Sequence, residues 1–277
     1  MPDGPALAAA RRLILANLPQ RAENPLRVLG EGWDHVSLLV GEDLVLRLPR
    51  AGRPLRRLAQ EPRVLACVAG RVPLSVPRMG LLGGVPPAAV YPLLEGVPAE
   101  MHAENRERIG GFLRALHRIP RAEIRAAGIG WVDFGYGGRG WEDGLRRFCR
   151  RAVDALRPHL AGQALRALQK HLGRFLRGPQ NFRFMACLIH ADLAPEHLLA
   201  DPATGRLRAV IDFGDAGLGD PAYDVRPEWT PSYGTVGAAF ARRQAFYRSL
   251  EPLHGALHAA KTGDAEALAA AIARLDV

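Results

Sequence analysis

The stretch from Leu188 to Asp224 places the tightest constraint on what this chain can fold into. Two short apolar runs, Cys187–Ile189 and Arg208–Ile211, each deliver polar residues at their end: His190-Ala191-Asp192 after the first and Asp212-Phe213-Gly214 after the second. Runs this short, closed by Gly, Pro and Asp, read as strand–turn–strand rather than helix. The pattern therefore sets two acidic residues, Asp192 and Asp212, on loops beside buried strands, with His197 five positions after Asp192. Carboxylates delivered to strand ends in this way mark a site.

Several chemistries fit those residues. His190, Asp192 and His197 can ligate a hydrolytic metal, although no third histidine clusters nearby. Asp212 taken alone reads as a turn residue, because Asp-Phe-Gly is a common triplet. Phosphoryl transfer needs a group that orients an attacking hydroxyl, and oxygen or nitrogen ligands for Mg²⁺. Asp192 suits the first role, and Asp212 with His197 suits the second. Asp220, directly before Pro221, reads as a structural hydrogen-bond acceptor.

The combined pattern His190-x-Asp192-x4-His197, Ile211-Asp212-Phe213 and Gly219-Asp220-Pro221-Ala222-Tyr223-Asp224 resembles the aminoglycoside phosphotransferase family. That family is protein-kinase-like and includes antibiotic and small-molecule kinases. The resemblance implies an α+β, two-lobed protein-kinase-like fold, with a small antiparallel-sheet N-lobe and a mainly helical C-lobe. It implies Asp192 as the catalytic residue, His197 and Asp212 at Mg²⁺, and ATP or GTP as phosphoryl donor. The kinase version of the first motif ends in Asn where this chain has His197. Mg²⁺ prefers oxygen to imidazole, so His197 either holds the ion or orders a water in that position.

Upstream, apolar residues flank Gly30-x-Gly32 and suggest a hairpin whose turn lacks bulk. Glycine there removes the Cβ that would keep backbone N–H groups from phosphates, though an ordinary tight turn gives the same pattern. The strand Leu44–Pro49 presents Arg47 where kinase-like folds place a phosphate-pairing lysine, and Arg keeps the charge and can pair bidentately. A helix opening at Pro54 and running to about Ala69 carries Glu61, within reach of Arg47 as in the kinase ion pair, with Pro62 an awkward neighbour. Val76–Leu82 and Ala88–Leu94 read as further strands. Leu94 and Glu95-Gly96-Val97 then form the expected hinge against the nucleotide base, which divides the chain into a nucleotide-binding lobe (1–95) and a catalytic, acceptor-binding lobe (96–277).

Beyond Ala99 the period becomes helical. Ile109, Phe112, Leu113 and Leu116 recur at i, i+3, i+4, i+7 in Glu104–Ile119, where His117 reads as a packed or capping residue. Residues 120–140, rich in Gly, read as one long loop. Helices are expected over Trp141–Leu156, Gln163–Leu176, Thr235–Leu250, His254–Lys261 and Asp264–Leu275. No βαβ alternation, P-loop or nucleophile elbow occurs, which disfavours a doubly wound sheet and removes the chemistries those motifs carry.

Composition bounds the partners. Formal charge is +9, from 37 basic and 28 acidic residues. The arginines are scattered through Ala- and Leu-rich segments, so nucleic acid is not an expected partner and a nucleotide triphosphate is. Cys67, Cys149 and Cys187 lack zinc or CxxC spacing and read as free thiols in a reducing compartment. The longest uncharged run, Met79–Leu94, holds Pro86, Pro87 and Pro92 and cannot be one membrane helix. A cytoplasmic monomer or weak dimer is expected. For the acceptor, a small-molecule alcohol, the resemblance points to aminoglycosides first and macrolides second, and Asp215, Asp224, Glu228 and Trp229 are the candidate contacts. An endogenous metabolite alcohol is the rival acceptor. A non-catalytic nucleotide-binding protein and a nucleic-acid module are the rival functions.

Overall fold

Leucine and valine fill most of residues 36–40 and 44–48, as strands buried on both faces require. The computed structural model describes residues 4–32, 34–50 and 55–275. In chain order, α1 (Pro5–Asn17) precedes β1 (Leu26–Glu31), β2 (His35–Val40), β3 (Leu44–Pro49) and α2 (Leu55–Val68). There follow β4 (Gly80–Leu82), β5 (Ala88–Pro92), β6 (Val97–Pro98), α3 (Ala103–His117), α4 (Arg121–Ala126), α5 (Trp141–Leu156) and α6 (Gly162–Leu176). Then come β7 (Cys187–Ile189), β8 (Leu198–Ala200), β9 (Leu207–Val210), β10 (Gly217–Gly219), α7 (Pro221–Asp224) and α8 (Thr230–Tyr233). The chain ends with α9 (Ala238–Ser249), α10 (Glu251–Thr262) and α11 (Ala265–Ala273). Two compact units share these elements: Met1–Arg108, Ala122–Ile129 and Asp192–Ala216 in the first, Ile109–Arg121, Gly130–Ala191 and Gly217–Val277 in the second.

The first unit holds a five-stranded antiparallel sheet in the order β1-β2-β3-β5-β4. Alternation along β2 and β3 sorts their side chains. Val36, Leu38, Val40, Leu46 and Leu48 join Ala10, Leu13 and Ile14 of α1 in one core. Each such side chain contributes about 1.5–3 kcal/mol when fully buried. Arg47, in register with Ser37, points to the opposite face and meets α2. Helix α2 buries Leu58, Glu61, Val64, Leu65 and Val68 and continues through Pro62, its apolar side outweighing the hydrogen bond that proline cannot donate. Pro54, the expected start of this helix, lies outside the described residues. A second, three-stranded sheet runs β6-β8-β9. It absorbs Val97 of the expected hinge. Gly96 is needed there, because a Cβ would stand 2.9 Å from the Ala200 carbonyl oxygen.

The expected strand Val76–Leu82 shrinks to Gly80–Leu82. Pro77 has no N–H to give a ladder, and just before it Ser75 bridges to Ala209 instead. The expected loop 120–140 contains α4, which ends at Ala126. Residues 192–216, placed beyond position 95 by the lobe division read from sequence, pack with the N-terminal strands.

The second unit is helical around an aromatic core. Ile109, Phe112, Leu113 and Leu116 are fully buried, as their spacing predicts. Trp141, Phe148, Phe175, Phe246 and Tyr247 share one cluster, with Phe175 and Phe246 stacked at 3.6 Å between centroids. Strands β7 and β10 pair antiparallel. Gly219 sits where a Cβ would come within 2.4 Å of Ile189 and 2.6 Å of Trp141, so only glycine fits before Asp220. Helices α9 and α10 start at Ala238 and Glu251, each three residues from the expected position.

Candidate active site

Within the first unit, strand β3, helix α2 and the loops around β8 and β9 bring charged side chains together. Arg47 Nη1 donates to both Glu61 oxygens at 2.9 and 3.0 Å, with Arg47 at 8% and Glu61 at 1% side-chain exposure. Arg47 Nη2 reaches Asp212 at 3.4 Å, a long contact beside the Glu61 pair. Burial pushes the Glu61 carboxyl up to about 7 against the pull of Arg47. For Arg47, burial opposes the charge, and Glu61 with Asp212 outweigh it and raise the pKa further. The Phe213 N–H also donates to Glu61 at 3.2 Å, so α2 holds the Asp212-Phe213-Gly214 triplet by its backbone. Phe213 itself is core.

His197 lies between the two acids singled out by sequence. Its Nδ1 donates to the Asp192 backbone carbonyl at 2.8 Å. A carbonyl only accepts, so that nitrogen carries the proton. Its Nε2 is 3.8 Å from Asp212 Oδ2, and its Nδ1 is 3.6 Å from Asp192 Oδ2. Asp192 and Asp212 keep 48% and 37% of their side-chain surfaces open. Although half open, the Asp192 carboxyl is crowded by protein, which with neighbouring Asp215 and Asp212 pushes it up to about 6 against the pull of His197. Asp212 adopts left-handed φ (63°), as does Ala191 (69°) just before Asp192. Non-glycine residues hold such geometry at a cost of about 1–3 kcal/mol, and it concentrates at functional sites.

Three participants escaped the sequence reading. Arg57 bridges Asp34 and Asp215, at 3.3 and 2.5 Å. It lies one helical turn before Glu61, and that i, i+4 spacing was the available signal. His35 faces Arg47 with its Nδ1 at 3.3 Å, and burial together with Arg47 lowers its pKa to about 4, leaving the ring neutral. Tyr91 on β5 is the third: burial raises its phenol to about 12.

Gly30 lies in β1, paired with Ser37, and Gly32 comes just after the strand, at the start of the β1–β2 connection. A Cβ on Gly30 would meet nothing within 4 Å. The N–H of Gly32 donates to the His35 carbonyl at 2.9 Å, so the hairpin itself uses it. Leu94 is half-buried after β5.

The residues nominated for the acceptor are not alike. Asp215 is tied to Arg57 and Glu228 is exposed. Asp224, in the second unit, is buried: its oxygens accept from the N–H groups of His190 (2.7 Å) and Ala191 (2.8 Å) and contact His117 Nε2 (3.3 Å). Burial works against its charge, and these bonds outweigh that and lower its pKa. Trp229 is 2% exposed. Neither Asp224 nor Trp229 offers the open polar surface expected of them. A carboxylate 34 positions downstream serves the backbone of the His190 loop instead. His190 is itself fully buried. Asp220 is buried too and accepts from Arg243, Tyr247 and Ala222, the structural role read for it.

Comparison with known proteins follows the same lines. The sequence matches the phosphotransferase enzyme family over residues 25–258. No curated protein matches it. Among solved structures, the GDP and kanamycin complex of APH(2")-IIIa aligns with a TM-score of 0.82 at 20% identity, covering 96% of this chain and 97% of that one. Macrolide 2'-phosphotransferase type I gives 0.71 at 24% identity, covering 100% and 99%. Macrolide 2'-phosphotransferase MphH from Brachybacterium faecium gives 0.66 at 25%, covering 94% and 96%. The protein thus belongs to the phosphotransferase enzyme family.

Proposed function

We propose that the chain transfers the γ-phosphoryl group of ATP or GTP to a hydroxyl of an aminoglycoside-type antibiotic. The observation that carries this reading is the grouping of Asp192, His197 and Asp212 in one unit, with the buried Arg47–Glu61 pair against Asp212. Asp192 accepts a hydrogen bond from the acceptor hydroxyl and aligns its oxygen with the phosphorus, taking the proton as the new P–O bond forms and the bond to the β–γ bridging oxygen breaks to release ADP or GDP. Arg47 balances phosphate charge, and its long contact to Asp212 is the one a phosphate oxygen replaces. Gly30 and Gly32 leave room over the hairpin for the triphosphate, with Leu94 against the base. Residues 1–95 form the nucleotide-binding lobe and 96–277 the lobe for catalysis and acceptor.

The donor set fits Mg²⁺ held jointly by protein and nucleotide. Among the described residues no group of three or more His, Cys, Asp or Glu forms a metal cage. Mg²⁺ is commonly bound through one or two carboxylates plus substrate phosphates, and half-open Asp212 offers one. Asp212 would hold the ion with His197 beside it. When bound, the ion offsets charge on the phosphate oxygens. No helix among the described residues is long and apolar enough to cross a membrane. The proposal includes a cytoplasmic enzyme, monomeric or weakly dimeric, with no nucleic-acid partner.

A macrolide is the second reading. A polycationic sugar wants several accessible carboxylates, and the burial of Asp224 removes one of those proposed for it. Phosphorylation assays with labelled ATP and GTP against kanamycin, a macrolide and a set of amino alcohols test the proposal. Label in kanamycin is expected; label in the macrolide alone replaces the first reading with the second, and label in neither overturns both.

A further inference from the structure

The second unit contains a cavity of about 610 Å³ at the start of α5, bordered by the irregular segment before it and by residues 182–186. None of the residues nominated for nucleotide, metal or acceptor lines it. Trp131, Trp141, Phe182 and Phe184 supply apolar wall. Trp141 is fixed, its indole N–H donating to Tyr247 at 3.0 Å while its ring meets Phe184 edge-on. That wall is set in place before any ligand arrives.

The charges around the cavity do not cancel. Glu142 is taken by Arg146, which approaches its Oε1 at 2.7 and 2.9 Å. Asp143 is taken by Arg147 and by the backbone N–H of Arg139. Both acids of the lining are therefore neutralised locally. Arg121 and Arg139 make no ion pair with a carboxylate among the described residues, and both line the cavity. Arg121 lies over the Trp131 ring at 5.6 Å, which orients its guanidinium without discharging it. Arg139 also acts on Asp143, yet Arg121, Arg139, Arg146 and Arg147 outnumber the two carboxylates, and this excess positive charge beside a preformed aromatic wall suits a ligand with an anionic end and a flat apolar body.

We propose that this cavity is a second small-molecule site, separate from the phosphoryl-transfer centre, that binds an aryl phosphate or aryl carboxylate. The anionic group lies between Arg121 and Arg139 and the ring against Trp131 and Phe184. The full chain, saturated with Mg²⁺ and ADP to occupy the nucleotide site, is titrated with 1-naphthyl phosphate by calorimetry. Binding at one site is expected, with 1-naphthol and inorganic phosphate each at least ten-fold weaker because each lacks one half of the recognition. The double variant Arg121→Ala/Arg139→Ala alters only exposed side chains and is expected to weaken 1-naphthyl phosphate at least ten-fold while keeping kinase turnover. Trp131→Ala is expected to weaken it by a similar factor. Equal affinity in wild type and double variant, or no binding once ADP is present, overturns the site. Kinase activity measured on the same variants reports separately on the transfer centre, so the two readings fail independently.

Discussion

Two pairs of aspartates, one in each unit, show what surroundings do to the same side chain. Asp192 and Asp212 are half open to water, flank an imidazole, and sit on or next to left-handed backbone. Asp220 and Asp224 are buried, and their oxygens accept from Arg243, Tyr247, His190, Ala191 and Ala222. The Asp192 carboxyl is pushed up to about 6, whereas Asp224 is held below the usual carboxylate range. The first pair lies open to water beside His197. The second has spent its lone pairs on the backbone of α7 and the His190 loop. Exposure and burial thus fall on different members of one short motif.

The contrast breaks first at Asp192. Asp192→Asn keeps the shape and loses the acceptor for the hydroxyl proton, so kcat is expected to fall by about 10²–10⁴-fold. Nucleotide affinity and Tm should move little, because the side chain is half exposed. Full turnover in that variant would remove Asp192 from the mechanism. Asp220→Ala is the complementary break. It strands Arg243, whose side chain is 6% exposed and whose Nε lies 2.5 Å from the carboxylate, and it also deprives the Tyr247 hydroxyl of its acceptor. Removing one partner of a buried pair costs about 3–5 kcal/mol. Urea unfolding should show that loss, and a change under 1 kcal/mol would mean that Asp220 is not the structural anchor its contacts describe.

How far was this division legible beforehand? The spacing from His190 to Asp212 carried the open pair, since short local motifs at strand ends keep their residues together in the fold. Arg47 and Glu61 were found by their order in the chain, one on a strand and the other on the next helix. Asp224 was misplaced because its fate depends on N–H groups 33 and 34 positions upstream, and nothing local to Asp224 shows them. Asp215 looked free for a ligand for a similar reason, its partner Arg57 being on α2. The fold followed the same rule: the helices with a clear apolar period were read to within a few residues, whereas α4 and the short β4 depend on tertiary partners.

Acid sharpens the comparison. Burial lowers the His254 pKa from 6.5 to about 4, where its ring stacks on Phe148 at 4.2 Å and meets the Tyr223 hydroxyl at 3.3 Å. A depressed folded pKa gives stability that is whole above 6.5 and lost as pH falls toward 4. Asp192 works in the opposite sense: with its carboxyl raised, the folded state takes up a proton more readily than the unfolded one over pH 6 to 4. His254 is therefore a source of acid sensitivity in the helical unit, as the neutral His35 is in the first. His254→Gln is expected to remove about 3 kcal/mol of the stability lost by pH 4. Tm measured from pH 7 to 4 in wild type and variant checks it, and parallel curves would count against a neutral, buried His254.

The smallest effect is expected at the joint between the pairs. Ala191 stands one residue before Asp192, and its N–H donates to Asp224 at 2.8 Å. Its φ of 69° brings the Cβ toward the following carbonyl oxygen, at a cost of about 1–2 kcal/mol for an L-residue. Ala191→Gly removes that strain and keeps the N–H, but it also gives the unfolded chain more freedom, worth roughly 0.5–1 kcal/mol against folding. The balance is a gain of at most about 1.5 kcal/mol, read as a Tm that holds or rises by a few degrees. A fall in Tm would show that the methyl packs usefully, and that the left-handed turn is not where strain is stored. Unchanged stability with reduced kcat would be more informative still, because it would make rigidity at Ala191 a condition for aiming Asp192, with the buried pair holding the open one in place through a single peptide.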